Sequence, residues 1–373
     1  MTPQQIHNTT IRHFLAPVAQ LLDDASVSEI LVNGPENVYF ERAGRLNRAD
    51  VRFPDDELLM AAAQNIADYV NRQLDDVHHS LDARLPDGSR VHVIIAPASR
   101  QGTCISIRKF QKASFDFDKL VARDSLSAEA AEFLRMCVLL HKNTVISGGT
   151  GSGKTSLLNA LSTAIPEFER IIVIEDTSEL QLHQPHTVYL EAQPIREDGR
   201  GQVTIRDLFV DSLRMRPDRI VVGEVRRGEA LDLIQSMLSG HAGALTTVHA
   251  NTPRDALIRL ETLCLMNEVS LPVHVARTQV ASAVHIVVQL NRLSDGSRRV
   301  QAVSEVLGLT ETGTTGQYRL RDLFTFRGAG RDSQGRILGE IQWTGEKPTF
   351  AEEPFQIGYA EKVNLTTKLF CSG

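Results

Sequence analysis

Two periodicities alternate along this chain of 373 residues. Short, nearly unbroken apolar runs separate stretches in which apolar residues recur every three or four positions. The first helical stretch covers residues 10–23, where Ile11, Phe14, Leu15, Val18, Leu21 and Leu22 share a face. Glu29–Val32 and Val38–Glu41 are short strand candidates on either side of an Asn33-Gly34-Pro35 turn. Asp55–Leu74 predicts a helix with Leu58, Leu59, Ala62, Ile66 and Val70 inward. Leu81–Leu85 and Arg90–Ala96 flank Pro86-Asp87-Gly88 as a hairpin, and Thr103–Phe110 alternates as one more strand. A mixed α/β domain over residues 1–110 is expected. Residues 111–125 mix charges without a period and read as a linker.

The remainder has a different rhythm. Ser127 is placed to cap a helix that runs to about Leu140. Asn143–Ser147 reads as a strand, and Lys154–Ile165 as a helix with Leu157, Leu158 and Leu161 on one face. Arg170–Ile174 and Arg219–Gly223 are continuous apolar runs of the kind that parallel strands covered on both faces require. Ala244–Val248 is another strand candidate. Thr252-Pro253-Arg254-Asp255 then starts a helix, with Thr252 as cap and Pro253 at its first position. Ala283–Leu290 predicts a strand, and Asp295-Gly296 a turn into Arg299–Leu307. These elements delimit a second domain over 126–310. Residues 311–373, with scattered glycines and Trp343, form an appended β-rich segment whose structure the pattern leaves open.

Composition narrows the function classes. Hydrophobic residues make up 42% and charged residues 23%, so the chain is not globally disordered. A formal net charge of −6 argues against broad nucleic-acid binding. No apolar run is long enough to span a bilayer, and the polar residues 1–10 lack a signal-peptide core, so an intracellular location is expected. Cys104, Cys137, Cys264 and Cys371 are scattered and form no CxxC pair, which predicts reduced thiols and no zinc site.

The chemistry centres on Gly148-Gly149-Thr150-Gly151-Ser152-Gly153-Lys154-Thr155, followed by Ser156. Glycines at these positions let backbone N–H groups turn toward phosphate oxygens. Lys154 reaches terminal phosphates, and the Thr155 hydroxyl suits Mg²⁺. The strand before the loop and the helix after it supply the required context. Glu175-Asp176-Thr177-Ser178-Glu179 follows an apolar run, where carboxylates orient water or hold Mg²⁺; standing alone, it reads first as a solvated acidic loop. Gly223-Glu224 ends the next run, with Gly223 where an Asp is common, leaving Glu224 to polarise water or to hold a metal through water. Arg214, Arg216 and Arg219 surround Pro217-Asp218, as arginines that neutralise a phosphoryl group or as surface ion pairs. His249 falls at the carboxyl end of its strand, on the ligand side, and His241 at the other end, where it links elements or subunits. A metal pair between them is not expected, since the ends of such a strand lie ~17 Å apart. Arg84, Arg90 and Arg108-Lys109 sit on or beside strands of the first domain, either as solvated sheet residues or as phosphate ligands.

Several longer motifs are more specific. They are Ser28-Glu-Ile-Leu-Val-Asn-Gly34, Asp87-Gly-Ser-Arg-Val91, Ile105-Ser-Ile-Arg-Lys-Phe110, Ile174-Glu-Asp-Thr-Ser-Glu-Leu180 and Gln184-Pro-His186. Leu213-Arg-Met-Arg-Pro-Asp-Arg-Ile-Val-Val-Gly-Glu-Val-Arg226, Gly240-His241 and Thr246-Thr-Val-His-Ala-Asn-Thr252 complete the set. Over residues 28–310 the sequence resembles secretion ATPases of the traffic-ATPase superfamily (type II and type IV secretion system ATPases). Within it the nearest likeness is to the CpaF group that powers Tad-type pilus assembly. The resemblance implies an N-terminal PAS-like α/β domain and a RecA-like phosphate-loop ATPase domain, assembled as a homo-hexamer with ATP and Mg²⁺ between the two domains. It implies that residues 149–156 bind nucleotide, that Thr155, Glu179 and Glu224 serve the metal, and that Glu179 and Glu224 activate water. Arg90 and Arg108 would contact nucleotide, and Arg214, Arg216 and Arg219 would link or trigger neighbouring sites; independently of the resemblance, the ligand-side position of His249 suits it to sense the terminal phosphate through a hydrogen bond.

It further implies a motor at the cytoplasmic side of the inner membrane, acting on a membrane platform protein to power pilus assembly or secretion, with no nucleic-acid partner. A conjugation or type IV secretion ATPase is the near alternative, and a nucleic-acid translocase a more distant one. Arg227 replaces the glycine usual after Val225-Arg226 in the family. The long N-terminal extension of many CpaF-group members is missing, so docking through it is not expected. The tetracysteine zinc segment of type II secretion ATPases is missing too.

Overall fold

The computed structural model describes residues 10–42, 44–109, 116–193, 195, 200–311 and 315–371. The chain divides into two compact units, Met1–Ala113 and Ser114–Gly373.

Among its described residues the first unit is built on six strands: β1 (Val27–Asn33), β2 (Val38–Arg42), β3 (Arg45–Arg48), β4 (Ser80–Arg84), β5 (Arg90–Ile94) and β6 (Cys104–Arg108). They lie in the order β3-β2-β1-β6-β5-β4, and every neighbouring pair is antiparallel. Ile30, Val32, Val91, Val93, Ile105 and Ile107 alternate onto one face and form its core with Leu59, Ala62, Ala63 and Ile66 of helix Asp56–Tyr69. Asp55 caps that helix, accepting the Leu58 N–H at 2.8 Å. The expected helix over 10–23 is broken. Residues 10–14 are helical, a 3₁₀ turn spans Ala16–Val18, and Ala19–Asp23 forms a separate short helix. Pro17 explains the break, since its ring lacks an N–H and crowds the preceding turn.

Among its described residues the second unit carries nine strands: β7 (Thr144–Gly148), β8 (Ile171–Glu175), β9 (Thr187–Glu191), β10 (Arg219–Val222), β11 (Leu245–Val248), β12 (Ile286–Arg292), β13 (Arg298–Leu309), β14 (Tyr318–Arg331) and β15 (Ile337–Trp343). Their order is β15-β14-β13-β12-β7-β11-β10-β8-β9. From β12 to β9 all pairings are parallel, and from β12 to β15 they are antiparallel. Successive residues of the parallel strands go to opposite faces. Ile146, Ile171, Val173, Val221, Leu245 and Ile286 pack with helices Ala128–Leu139 and Lys154–Ser162. Val145, Ile172, Ile174, Ile220, Val222, Val248 and Val287 pack with helices Glu229–Leu238, Pro253–Cys264 and Val273–Ala283. Burial on both faces is why these strands read as unbroken apolar runs.

Part of the stretch read as a linker is helical. Asp116 caps helix Phe117–Ala122, while residues 110–115 lie outside the described residues. The segment after residue 310 is integral to the second unit. β14 and β15 extend its sheet, and Phe324, Phe350 and Phe370 surround Phe133, with Phe370 stacked on it at 5.7 Å. Glu132 also accepts the backbone N–H groups of Asn364, Leu365 and Thr366, at 2.8–3.0 Å. Residues 312–314 and 372–373 lie outside the described residues.

Candidate active site

The loop from Gly148 to Gly153 joins the carboxyl end of β7 to helix Lys154–Ser162. Gly151 and Gly153 have φ of +69° and +98°, a region that a side chain makes costly. Gly153 is the residue before the helix, so the loop delivers the unpaired N–H groups of a helix N-terminus to the sheet's carboxyl edge. Lys154 is buried, and its Nζ donates to the carbonyls of Gly148 and Gly149 at 3.0 and 3.1 Å. Ser152 Oγ closes the turn on the Gly149 carbonyl at 2.8 Å.

β8 brings the acidic run to the same edge. The Thr155 hydroxyl donates to Glu179 Oε2 at 3.2 Å. Buried Glu175 holds this region in place, accepting the N–H groups of Glu179 and Leu180 at 2.9 and 3.1 Å. Glu175 also accounts for the glycine where an aspartate is common. A Cβ on Gly223 would meet Glu175 Cγ at 3.0 Å, so the carboxylate from β8 fills the space beside the end of β10.

β10 and β11 complete the constellation. Glu224 lies just past β10, and its Oε1 is 3.0 Å from His249 Nε2. Its other oxygen accepts from Arg226 Nη2 at 2.9 Å, and Arg226 reaches Asp176 at 3.3 Å. His249, just past β11, places Nδ1 3.3 Å from Lys154 Nζ. Burial raises the Glu224 pKa, but the Arg226 hydrogen bond and the charges of Arg226, His249 and Lys154 outweigh it and hold the carboxyl below its ordinary range. Burial, then the Lys154 charge, pushes the His249 imidazole below its ordinary value. A neutral ring with its proton on Nε2 donates to Glu224, while Lys154 Nζ lies 3.3 and 3.4 Å from the two ring nitrogens and sets its charge beside the pair.

Residues 13–332 match the family model described as "Type II/IV secretion system protein". The chain belongs to this family. Among curated relatives, VirB11 of the Brucella suis type IV secretion system is 32% identical over 325 residues, covering 80% of this chain and 90% of its own. A Mycobacterium tuberculosis protein named provisionally for conjugal transfer is 36% identical over 290 residues, covering 76% of this chain and 82% of its own. Among solved structures, the Yersinia pseudotuberculosis ATPase DotB aligns with a TM-score of 0.53 at 15% identity, over 82% of this chain and 79% of that one. The pilus retraction motor PilT with bound ADP aligns with a TM-score of 0.51 at 18% identity, over 84% and 82%. At those identities the structures speak to fold, which is that of the RecA-like secretion ATPases.

In this type II/IV secretion system protein, not every residue singled out from sequence reaches the phosphate loop. Arg219 does not. It begins β10, at the opposite edge of the sheet, and is only 1% exposed. Its guanidinium is spent on Glu169 and on the carbonyls of Val138 and Gly243. Buried and fully engaged there, the side chain is committed to holding the start of β10. Arg214 and Arg216 are exposed before the amino end of β10, away from the loop of their own chain. His241 lies at the amino end of β11. In the first unit, Arg90 pairs in register with Arg84 on one side and Arg108 on the other, three cations side by side at one sheet end. Like charges directly opposite each other are unfavourable in a sheet, which sets this cluster apart from ordinary solvated positions. Glu29 lies 3.9 Å from Arg108.

Among the described residues no cluster of three or more His, Cys, Asp or Glu is placed to hold a metal, and no helix is long and apolar enough to cross a membrane. Arg226, Arg292 and Arg298 enter the site region without having been given a role from sequence. Arg226 stands in the Gly223-Glu224-Val225-Arg226 motif, so its signal was present; the other two act through contacts that sequence distance hides.

Proposed function

We propose that this chain is an ATP hydrolase whose cycle drives pilus assembly or protein secretion. What carries the reading is the convergence of Lys154, the Thr155–Glu179 pair and the Glu224–His249–Arg226 cluster on one sheet edge. Loop residues Gly149–Ser156 bind the phosphates through backbone N–H groups, and Lys154 exchanges its resting carbonyl contacts for the terminal phosphates. Glu224, ionised at neutral pH, takes up the proton side of the attacking water as it adds to the γ-phosphorus and the bond to ADP breaks. His249 and Arg226 orient that carboxylate. Rate comes from positioning and charge neutralisation, with no covalent intermediate.

Mg²⁺ fits the donors present. It takes one or two protein oxygens beside substrate phosphates and waters, so no dedicated cage is needed. Thr155 and Glu179 would hold it, with Glu224 acting through water. Bound there, it would neutralise charge on the phosphate oxygens.

Further parts of the reading rest on the family. The working unit is a homo-hexamer on the cytoplasmic side of the inner membrane, coupled to a membrane platform protein. Arg90 and Arg108 close over the nucleotide, and Arg214 and Arg216 serve a neighbouring subunit's site. A Tad-type pilus is the machine favoured by the motif set. Conjugation or type IV secretion is the second reading, supported by the relatives named for those systems. With a net charge of −6, no nucleic-acid partner is proposed.

Glu224→Gln tests the chemistry. The amide keeps shape and can still accept from Arg226, so ATP affinity should stay near wild type. Losing the charged base should slow turnover about a hundred-fold or more. Wild-type turnover, read by phosphate release, would remove Glu224 from its role.

A further inference from the structure

The hairpin between β12 and β13 stands directly against the phosphate loop. β12 runs parallel to β7 with Leu290 opposite Gly148, so the hairpin starts where the loop starts. Arg298, the first residue of β13, donates from Nε to the Gly151 carbonyl at 2.9 Å. Its Cδ lies 3.4 Å from the point a Cβ on Gly153 would occupy, and Arg292 Nη1 lies 3.6 Å from the equivalent point on Gly151. Two cations from one distant segment therefore line the loop, Arg298 standing 147 residues from Gly151 in sequence.

The hairpin is held from behind. Leu293 donates to the Ser297 carbonyl at 2.8 Å, and Asp295 accepts from Ser297 N and Oγ at 2.9 and 2.6 Å. Asp295 Oδ2 also accepts from Ile337 N at 2.7 Å, and Arg331 Nη2 donates to Ser294 Oγ at 2.6 Å, which fastens the turn to the β14–β15 ribbon. Arg298 therefore presents its guanidinium from a fixed frame.

We propose that Arg298 is a positioning residue for nucleoside polyphosphate. A backbone loop binds an anion only while its N–H groups face inward, and a carbonyl turned toward phosphate repels it. By taking the Gly151 carbonyl, Arg298 holds that peptide in the binding orientation and sets a permanent positive charge beside it. ADP and ATP gain alike, since both carry the phosphates that the loop encloses. The inference rests on the ATPase reading.

The test uses the full chain, a fluorescent ADP analogue and steady-state ATP hydrolysis. Arg298→Ala should raise the analogue's Kd and the KM for ATP about ten-fold, the loss of one charge-assisted hydrogen bond. With saturating ATP, kcat should change by less than about three-fold, because the reacting groups are untouched. Arg298 is exposed, so the unfolding midpoint without nucleotide should match wild type. Arg298→Lys keeps the charge without the planar fork and should recover only part of the affinity. Binding by wild type and by Arg298→Ala with equal Kd would overturn the proposal, as would a loss of stability without a change in Kd. Failure of wild type to bind the analogue would instead overturn the ATPase reading itself.

Discussion

Replacing Lys154 with alanine is expected to abolish ATP hydrolysis while the protein still folds. The two halves of that expectation have separate grounds. Lys154 Nζ rests on the carbonyls of Gly148 and Gly149 and beside His249, so its charge is already aimed at the space the loop encloses. Removing a single preorganised group that stabilises transition-state charge costs about 10²–10³ in kcat, and here nucleotide affinity should fall as well. Folding should survive because alanine is the best helix former at the first position of helix Lys154–Ser162. The abandoned carbonyls cost about 1–3 kcal/mol at most. Phosphate release and a denaturation curve on the same preparation read the two effects. Wild-type turnover in a folded variant would sink the ATPase assignment.

What the sequence made legible follows from the range of the interactions. The phosphate loop is local: strand, glycines, lysine and helix are contiguous, and each has a signature. The strands β7, β8, β10 and β11 are legible because burial on both faces forbids polar residues in them. β9 shows no such run; it lies at the sheet's edge and Tyr189 is exposed. Helix Glu229–Leu238 carries a local signal that the expected elements omit: Ala230, Leu231, Leu233, Ile234 and Met237 recur at helical spacing and share its buried face.

Distance explains most of what the site adds. Nothing near Gly223 says that Glu175 fills its neighbourhood, and nothing near Gly151 says that Arg298 will hold its carbonyl. The C-terminal aromatics are equally silent, since Phe350 and Phe370 make sense only once Phe133 is beside them. Pro17 is the opposite case: a local breaker inside an apolar helical pattern, outvoted by the period but decisive in the backbone.

Arg219 is where motif and structure diverge most, and Arg219→Ala should act on stability before it acts on catalysis. The expected loss is about 3–5 kcal/mol, because truncation leaves Glu169 as a buried carboxylate without its main partner. His141 Nε2, 3.3 Å from Glu169, is the side-chain partner that remains. The pH dependence identifies the cause. In the wild type, burial raises the Glu169 pKa, but hydrogen bonds from His141 and Arg219 outweigh it and hold the carboxyl below its ordinary value. Its stabilising contribution is thus complete above the unfolded-state pKa and is lost as pH falls through the folded-state value. Without Arg219 burial dominates and the pKa rises, so the variant's deficit is largest at neutral pH. It should shrink as pH falls and Glu169 protonates. Replacing both partners by apolar residues, Arg219→Met with Glu169→Leu, should recover about 1–3 kcal/mol, since no charge is then stranded. Denaturant unfolding at neutral and mildly acidic pH measures all three variants. Wild-type stability in Arg219→Ala, together with lost turnover, would instead support a trigger role for Arg219.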